Sequence, residues 1–165
     1  MASTSPFYGL QFDSDGTLPF TPMLRALYRD TQFEGYGPGR VYTDRTGSYA
    51  ADAFWADIEP GAIWPPSKFG PWLDQRRAAT GQPGGAYCNR ANLPAVIEAA
   101  ATRPWSLWLA TLDGTADPAA ITELAALPAG VSLLVVQAFP STMIGGINAD
   151  ISVVVDQHYW DSRHD

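Results

Sequence analysis

The chain has 165 residues, 46% of them apolar and 16% charged, which suits a single domain with one buried core and no linker. A formal charge of -7, with Lys68 as the only lysine, excludes nucleic acid as a partner, because that affinity comes from clustered cations releasing condensed counterions. Cys88 is the only cysteine, so neither an internal disulfide nor a cysteine-rich metal site can form. No run is long enough to span a bilayer, and residues 1–6 lack the basic and apolar segments of a secretion signal; no membrane insertion and a cytoplasmic site of synthesis are the resulting expectations.

In chain order, Tyr8 to Phe12 reads as a short strand, and Asp13-Ser14-Asp15-Gly16 as the turn after it. Thr21 and Pro22 then mark a helix start, with Met23, Leu24 and Leu27 as its apolar stripe before Gly35. Arg40 to Thr43 is a strand ending at Asp44. Ala53 to Glu59 is another, stopped by Pro60-Gly61 because proline cannot donate to a sheet ladder. Pro66 to Ala79 has helical spacing through Phe69, Trp72 and Leu73, and Gly81 to Gly85 break it before the strand Ala86 to Cys88. A helix over Leu93 to Ala101 and a strand over Ser106 to Leu112 follow. Asp117-Pro118 opens a helix running through Leu127, Val131 to Val136 is an apolar strand ending at Gln137, and Asp150 to Val155 is the last strand. About seven strands alternating with helices, several apolar throughout, predict an α/β fold with mostly parallel strands buried on both faces, either an open doubly wound sheet or a closed barrel.

The chemistry concentrates where strands end. In Asp57-Ile58-Glu59 the two acids, being two residues apart in a strand, face the same side. Two carboxylates in a dry cleft cannot both ionise freely, so one keeps its proton and serves as a general acid, the division of labour that glycoside cleavage needs. The same pair could instead bind solvent, an arginine or a helix N-terminus. Asp13, Asp44, Asn89, Asp113 and Gln137 also fall at strand ends, where parallel α/β folds build their ligand sites, although for Asp44 and Asp113 local capping is the simpler reading.

Trp55, Trp64, Trp72, Trp105, Trp108 and Trp160 are numerous for this length. Trp72, and at least one of Trp105 and Trp108, belong to the core, whereas Trp64, just beyond Glu59, suits the wall of a sugar cleft. His158 and His164 lack ligand spacing, so no metal site is expected. Ser14, Ser48 and Ser141 lack a nucleophile-elbow frame, and Cys88 has no histidine partner.

Several segments together, YGLQFDSDGT at Tyr8 to Thr17, FWADIEPG at Phe54 to Gly61, GAYCNRANLP at Gly85 to Pro94, LWLATLDG at Leu107 to Gly114, VVQAF at Val135 to Phe139 and ADISVV at Ala149 to Val154, resemble the glycoside hydrolase family 25 lysozymes. The resemblance implies a small, irregular TIM-like (β/α) barrel, shortened relative to the usual eight units. It implies Glu59 as general acid, Asp57 as its partner carboxylate, and Asp13 and Asp150 as further catalytic acids, with Asp15 competing with Asp13 for the first-strand position. Trp64, Gln137, Tyr87, Asn89 and Asp15 would contact substrate, with Gln137 following Val136 where the family has a tryptophan. The substrate implied is the β-1,4 bond of peptidoglycan, cut without metal or organic cofactor, and a phage origin would account for a wall-cutting enzyme lacking its own signal. The rival expectation is an inactive barrel that binds a glycan or makes virion or homo-oligomer contacts.

Overall fold

In the computed structural model, residues 8–14, 24–28, 40–112 and 127–163 are described. They form a closed barrel of eight strands in sequential order: β1 (Gly9–Ser14), β2 (Leu24–Tyr28), β3 (Arg40–Asp44), β4 (Trp55–Asp57), β5 (Gly85–Asn89), β6 (Trp105–Ala110), β7 (Val131–Ile144) and β8 (Ile147–Val154). Successive pairs from β1 to β7 are parallel. The last strand runs antiparallel to both of its neighbours, β7 and β1, so the sheet is mixed. The described helices are α1 (Phe69–Thr80), α2 (Leu93–Ala100) and α3 (Gln157–Asp161); none of them is long and apolar enough to cross a membrane.

Three expectations about strands are corrected. Leu24 and Leu27, read as the stripe of a helix, lie in β2, and the barrel has eight strands instead of seven. Leu24, Arg25, Ala26 and Leu27 are all buried, and a short run buried on both faces has no periodicity that separates strand from helix. Leucine and alanine favour helix locally, but pairing with β1 and β3 decides the outcome. The strand expected to stop at Gln137 continues to Ile144 and turns through Gly145 (φ 57°) and Gly146 (φ 84°) into β8. Two left-handed residues in succession make the tight hairpin whose twist matches its strands, a conformation glycine adopts without steric cost. The helix expected from Asp117 to Leu127 lies almost wholly outside the described residues.

Strand alternation divides the apolar side chains into two cores. On the outer face, Ala56, Ala86, Cys88, Leu107 and Leu109 pack under Phe69, Trp72 and Leu73 of α1 and Val96 of α2. Inside the barrel are Leu24, Ala26, Val41, Trp55, Trp108 and Val135. Trp72, Trp105 and Trp108 are therefore all core residues, the first two outside the barrel and the third within it. Gly85 permits this interior arrangement: a Cβ there would lie 2.2 Å from the Trp55 ring.

Helix α3 contributes Tyr159 and Trp160 to the interior core. Asp156 caps α3 by accepting the Tyr159 N–H at 2.7 Å. The Tyr159 hydroxyl donates to Gln11 Oε1 at 2.7 Å and accepts from Trp55 Nε1 at 3.2 Å. Tyr159→Phe should cost about 2 kcal/mol, since it strips partners from two buried polar groups, and thermal denaturation will read this as a lower midpoint.

Candidate functional site

At the rim formed by the C-terminal ends of the parallel strands, β4 ends at Asp57, whose register partner on β5 is Tyr87. The chain then leaves the sheet: Ile63 N–H returns to the Asp57 carbonyl and Ala62 N–H to the Glu59 carbonyl, each at 3.0 Å. Glu59 thus sits on a rim turn and not in the strand, which corrects the expected boundary: β4 ends two residues earlier than read, at Asp57. On the other side of the closure, Asp13 of β1 and Asp150 of β8 are direct cross-strand partners, which places their side chains on one face of the sheet. A break in regular register of β7 around Phe139 lets Ser141 N–H donate to Asp150 Oδ1 at 2.7 Å.

These acids influence one another. Asp57 is fully buried and neither carboxylate oxygen accepts a hydrogen bond. Burial, reinforced by the charge of Glu59, opposed by Arg45 and reinforced again by Asp13, pushes its pKa up to about 8. Burial also raises the pKa of the half-buried Glu59, with Arg45 opposing and Asp150 adding to the rise. Tyr87 lies within the field of all four acids: burial first, then Glu59, Asp57, Asp150 and Asp13, hold its proton on well above the usual phenol range. Its hydroxyl donates to Gln137 Oε1 at 2.6 Å, and its ring meets Trp108 edge-on at 4.9 Å. Trp108 Nε1 in turn donates to Ser152 Oγ at 3.0 Å, so the polar rim rests on a hydrogen-bonded aromatic layer.

Arg45 is the member of this cluster that the sequence did not single out. Its Nε lies 3.6 Å from Asp57 Oδ2, and its charge acts on both Asp57 and Glu59. The only signal was its place one residue after a strand end. Its neighbour Asp44 has a different duty: Oδ1 accepts Thr46 N–H and Gly47 N–H at 2.8 Å, and Oδ2 accepts Tyr49 N–H at 2.8 Å and Trp72 Nε1 at 2.9 Å. That carboxylate organises the loop carrying Arg45 and ties it to α1. Asp44→Asn should destabilise the protein by about 2 kcal/mol, because an amide nitrogen cannot accept from donors that the carboxylate satisfied, a loss that urea denaturation will measure.

Among the other expected site residues, Gln137 is buried beneath the rim through its bond to Tyr87. Asn89 Oδ1 accepts Asn92 N–H at 2.9 Å and shapes the turn into α2. Trp64 is 38% exposed in the loop after Glu59. Asp15 and Asp113 lie outside the described residues. Cys88 packs in the outer core, and burial pushes its thiol up to about 12, so it is not a poised nucleophile. Among the described residues, no cluster of three or more histidine, cysteine, aspartate or glutamate side chains is arranged to hold a metal ion. Comparison with protein-family models, curated proteins and solved structures gives no match.

Proposed function

We propose that this chain is a glycoside hydrolase of muramidase type, built on a shortened, irregular TIM-like (β/α) barrel and acting on the β-1,4 bonds of peptidoglycan. One observation carries the reading: Asp13, Glu59 and Asp150, from different segments, share one electrostatic field around Tyr87, with buried Asp57 alongside. The family 25 resemblance supplies the substrate class.

Glu59 is the proton donor in this reading. It is partly exposed, and its raised pKa keeps a larger protonated fraction near neutral pH than an ordinary glutamate has. Its proton passes to the glycosidic oxygen as the C1–O bond breaks, and the leaving sugar departs as an alcohol. The positive charge developing at C1 is met by the Asp13 and Asp150 carboxylates; water then bonds to C1 and gives up a proton to the Glu59 carboxylate, which closes the new reducing end and restores the acid. Asp57 has no exposed surface, so it does not touch substrate; holding its own proton, it spares the rim a further negative charge. Trp64 offers an exposed indole face to an adjacent sugar. Proton transfer between carboxyl groups and substrate needs no metal or organic cofactor.

The test is incubation of the purified protein with bacterial cell walls, followed by borohydride labelling and mass spectrometry of released fragments. New reducing-end amino sugars, growing with time and enzyme concentration, are the expected result. Walls that bind the protein but gain no reducing ends above a boiled control would end the catalytic reading.

A further inference from the structure

Beside α3, away from the acids, a cavity of about 510 Å³ is lined by Phe54, Arg76, Ser106, Ser132, Asp156 and Arg163, among others. Its volume falls within the range of small-molecule sites, about 300–1,000 Å³.

Two guanidiniums line it, each near the same ring. Arg163 lies 4.8 Å and Arg76 5.5 Å from the centroid of Phe54. Arg76 is anchored: its Nε donates to the Pro83 carbonyl at 3.2 Å, and its Nη1 donates to the carbonyls of Ala50 and Ala53. Those bonds hold the side chain in place without neutralising it, since carbonyls carry no net charge. Arg163 is held differently, against the faces of Phe54 and Tyr159, and its buried Nε has no hydrogen-bond partner. The acid in the lining, Asp156, has one carboxylate oxygen engaged in capping α3. Ser106 and Ser132, register partners on β6 and β7, add neighbouring hydroxyls to the wall.

We propose that this cavity binds a small molecule through an oxyanion group, phosphate or carboxylate, drawn by the charges of Arg76 and Arg163 in its lining. Each guanidinium carries a full positive charge and N–H donors of the kind that suit either oxyanion. An anion there offsets two like charges that line one cavity. Arg76 feels this neighbour: its proton is loosened first by burial and then by the charge of Arg163. The apolar surface of Phe54 and Leu134 leaves room for the body of the ligand. The inference is independent of the proposed glycosidase activity, which resides in other residues.

Sodium phosphate and sodium acetate, titrated separately into the purified protein at ionic strength held constant with chloride, test the site by calorimetry and amide NMR. Saturable binding of at least one anion is expected, with resonance shifts at Ser106, Ser132 and Arg163, and the anion that binds identifies the group recognised. Arg163→Gln and Ser132→Asp should each weaken that binding by about tenfold or more, as expected for loss of a charge-assisted contact or gain of a repulsive one. Ser132 is exposed, so its variant should fold even if removal of Arg163 disturbs α3. No saturable response to either anion, or unchanged binding in folded Ser132→Asp, would overturn the assignment.

Discussion

Asp57→Asn is expected to stabilise the protein at neutral pH, by on the order of 4 kcal/mol at pH 7. Asparagine keeps the shape of the side chain and removes its ionisation. The folded protein holds the Asp57 proton to about pH 8, against an ordinary value of 3.8. Below the ordinary value the group is protonated in both folded and unfolded states and adds no penalty. As pH rises, the unfolded chain releases the proton first, so folding loses about 1.4 kcal/mol per pH unit. The penalty becomes constant above about pH 8, where both states are ionised. Urea denaturation at a series of pH values is the measurement: the advantage of the variant over wild type should widen from acid to neutral pH. A gap that stays constant, or a variant less stable throughout, would show that Asp57 is not a buried acid carrying this cost.

Glu59→Gln should lower the rate of wall cleavage by about 10²–10⁴-fold, the usual contribution of a positioned general acid. Glutamine preserves size and hydrogen-bonding reach but has no proton to give the leaving oxygen. The loss should appear in kcat, with KM much less affected, because the missing transfer belongs to the transition state. Wild-type activity should also fall on the alkaline side as Glu59 ionises, and its raised pKa moves that fall upward from the range of an ordinary glutamate. Initial rates of reducing-end release, with circular dichroism confirming equal folding, check both points. A Glu59→Gln protein that cleaves at nearly the wild-type rate would remove this residue from the mechanism.

The parts of this molecule legible in its sequence are those where local signals and tertiary packing agree. Helix α1 could be read because Phe69, Trp72 and Leu73 have helical spacing and Gly81 follows as a left-handed cap. Strand β6 could be read because its apolar run fits a strand with an outer and an inner core on its two faces. Leu24 to Tyr28 could not, since its leucines and alanine carry helix preference and only barrel closure makes them a strand. The rim acids were visible as residues at strand ends, but their meeting depends on which strands adjoin. Asp13 and Asp150, far apart in the chain, face each other through the β1–β8 pairing. Arg45 was invisible for a related reason: one arginine on a loop gains meaning only once a buried acid is found next to it.

The antiparallel pairing of β8 with β1 joins the first described strand to the last. During synthesis β1 must therefore wait for β8 to emerge, and until then both β1 and β7 expose unpaired backbone edges. Such long-range closure slows folding, and exposed edges invite pairing with other chains. The nascent polypeptide is thus most vulnerable to self-association just before β8 arrives, and a ribosome that stalls between β7 and β8 would leave a sheet with two open borders.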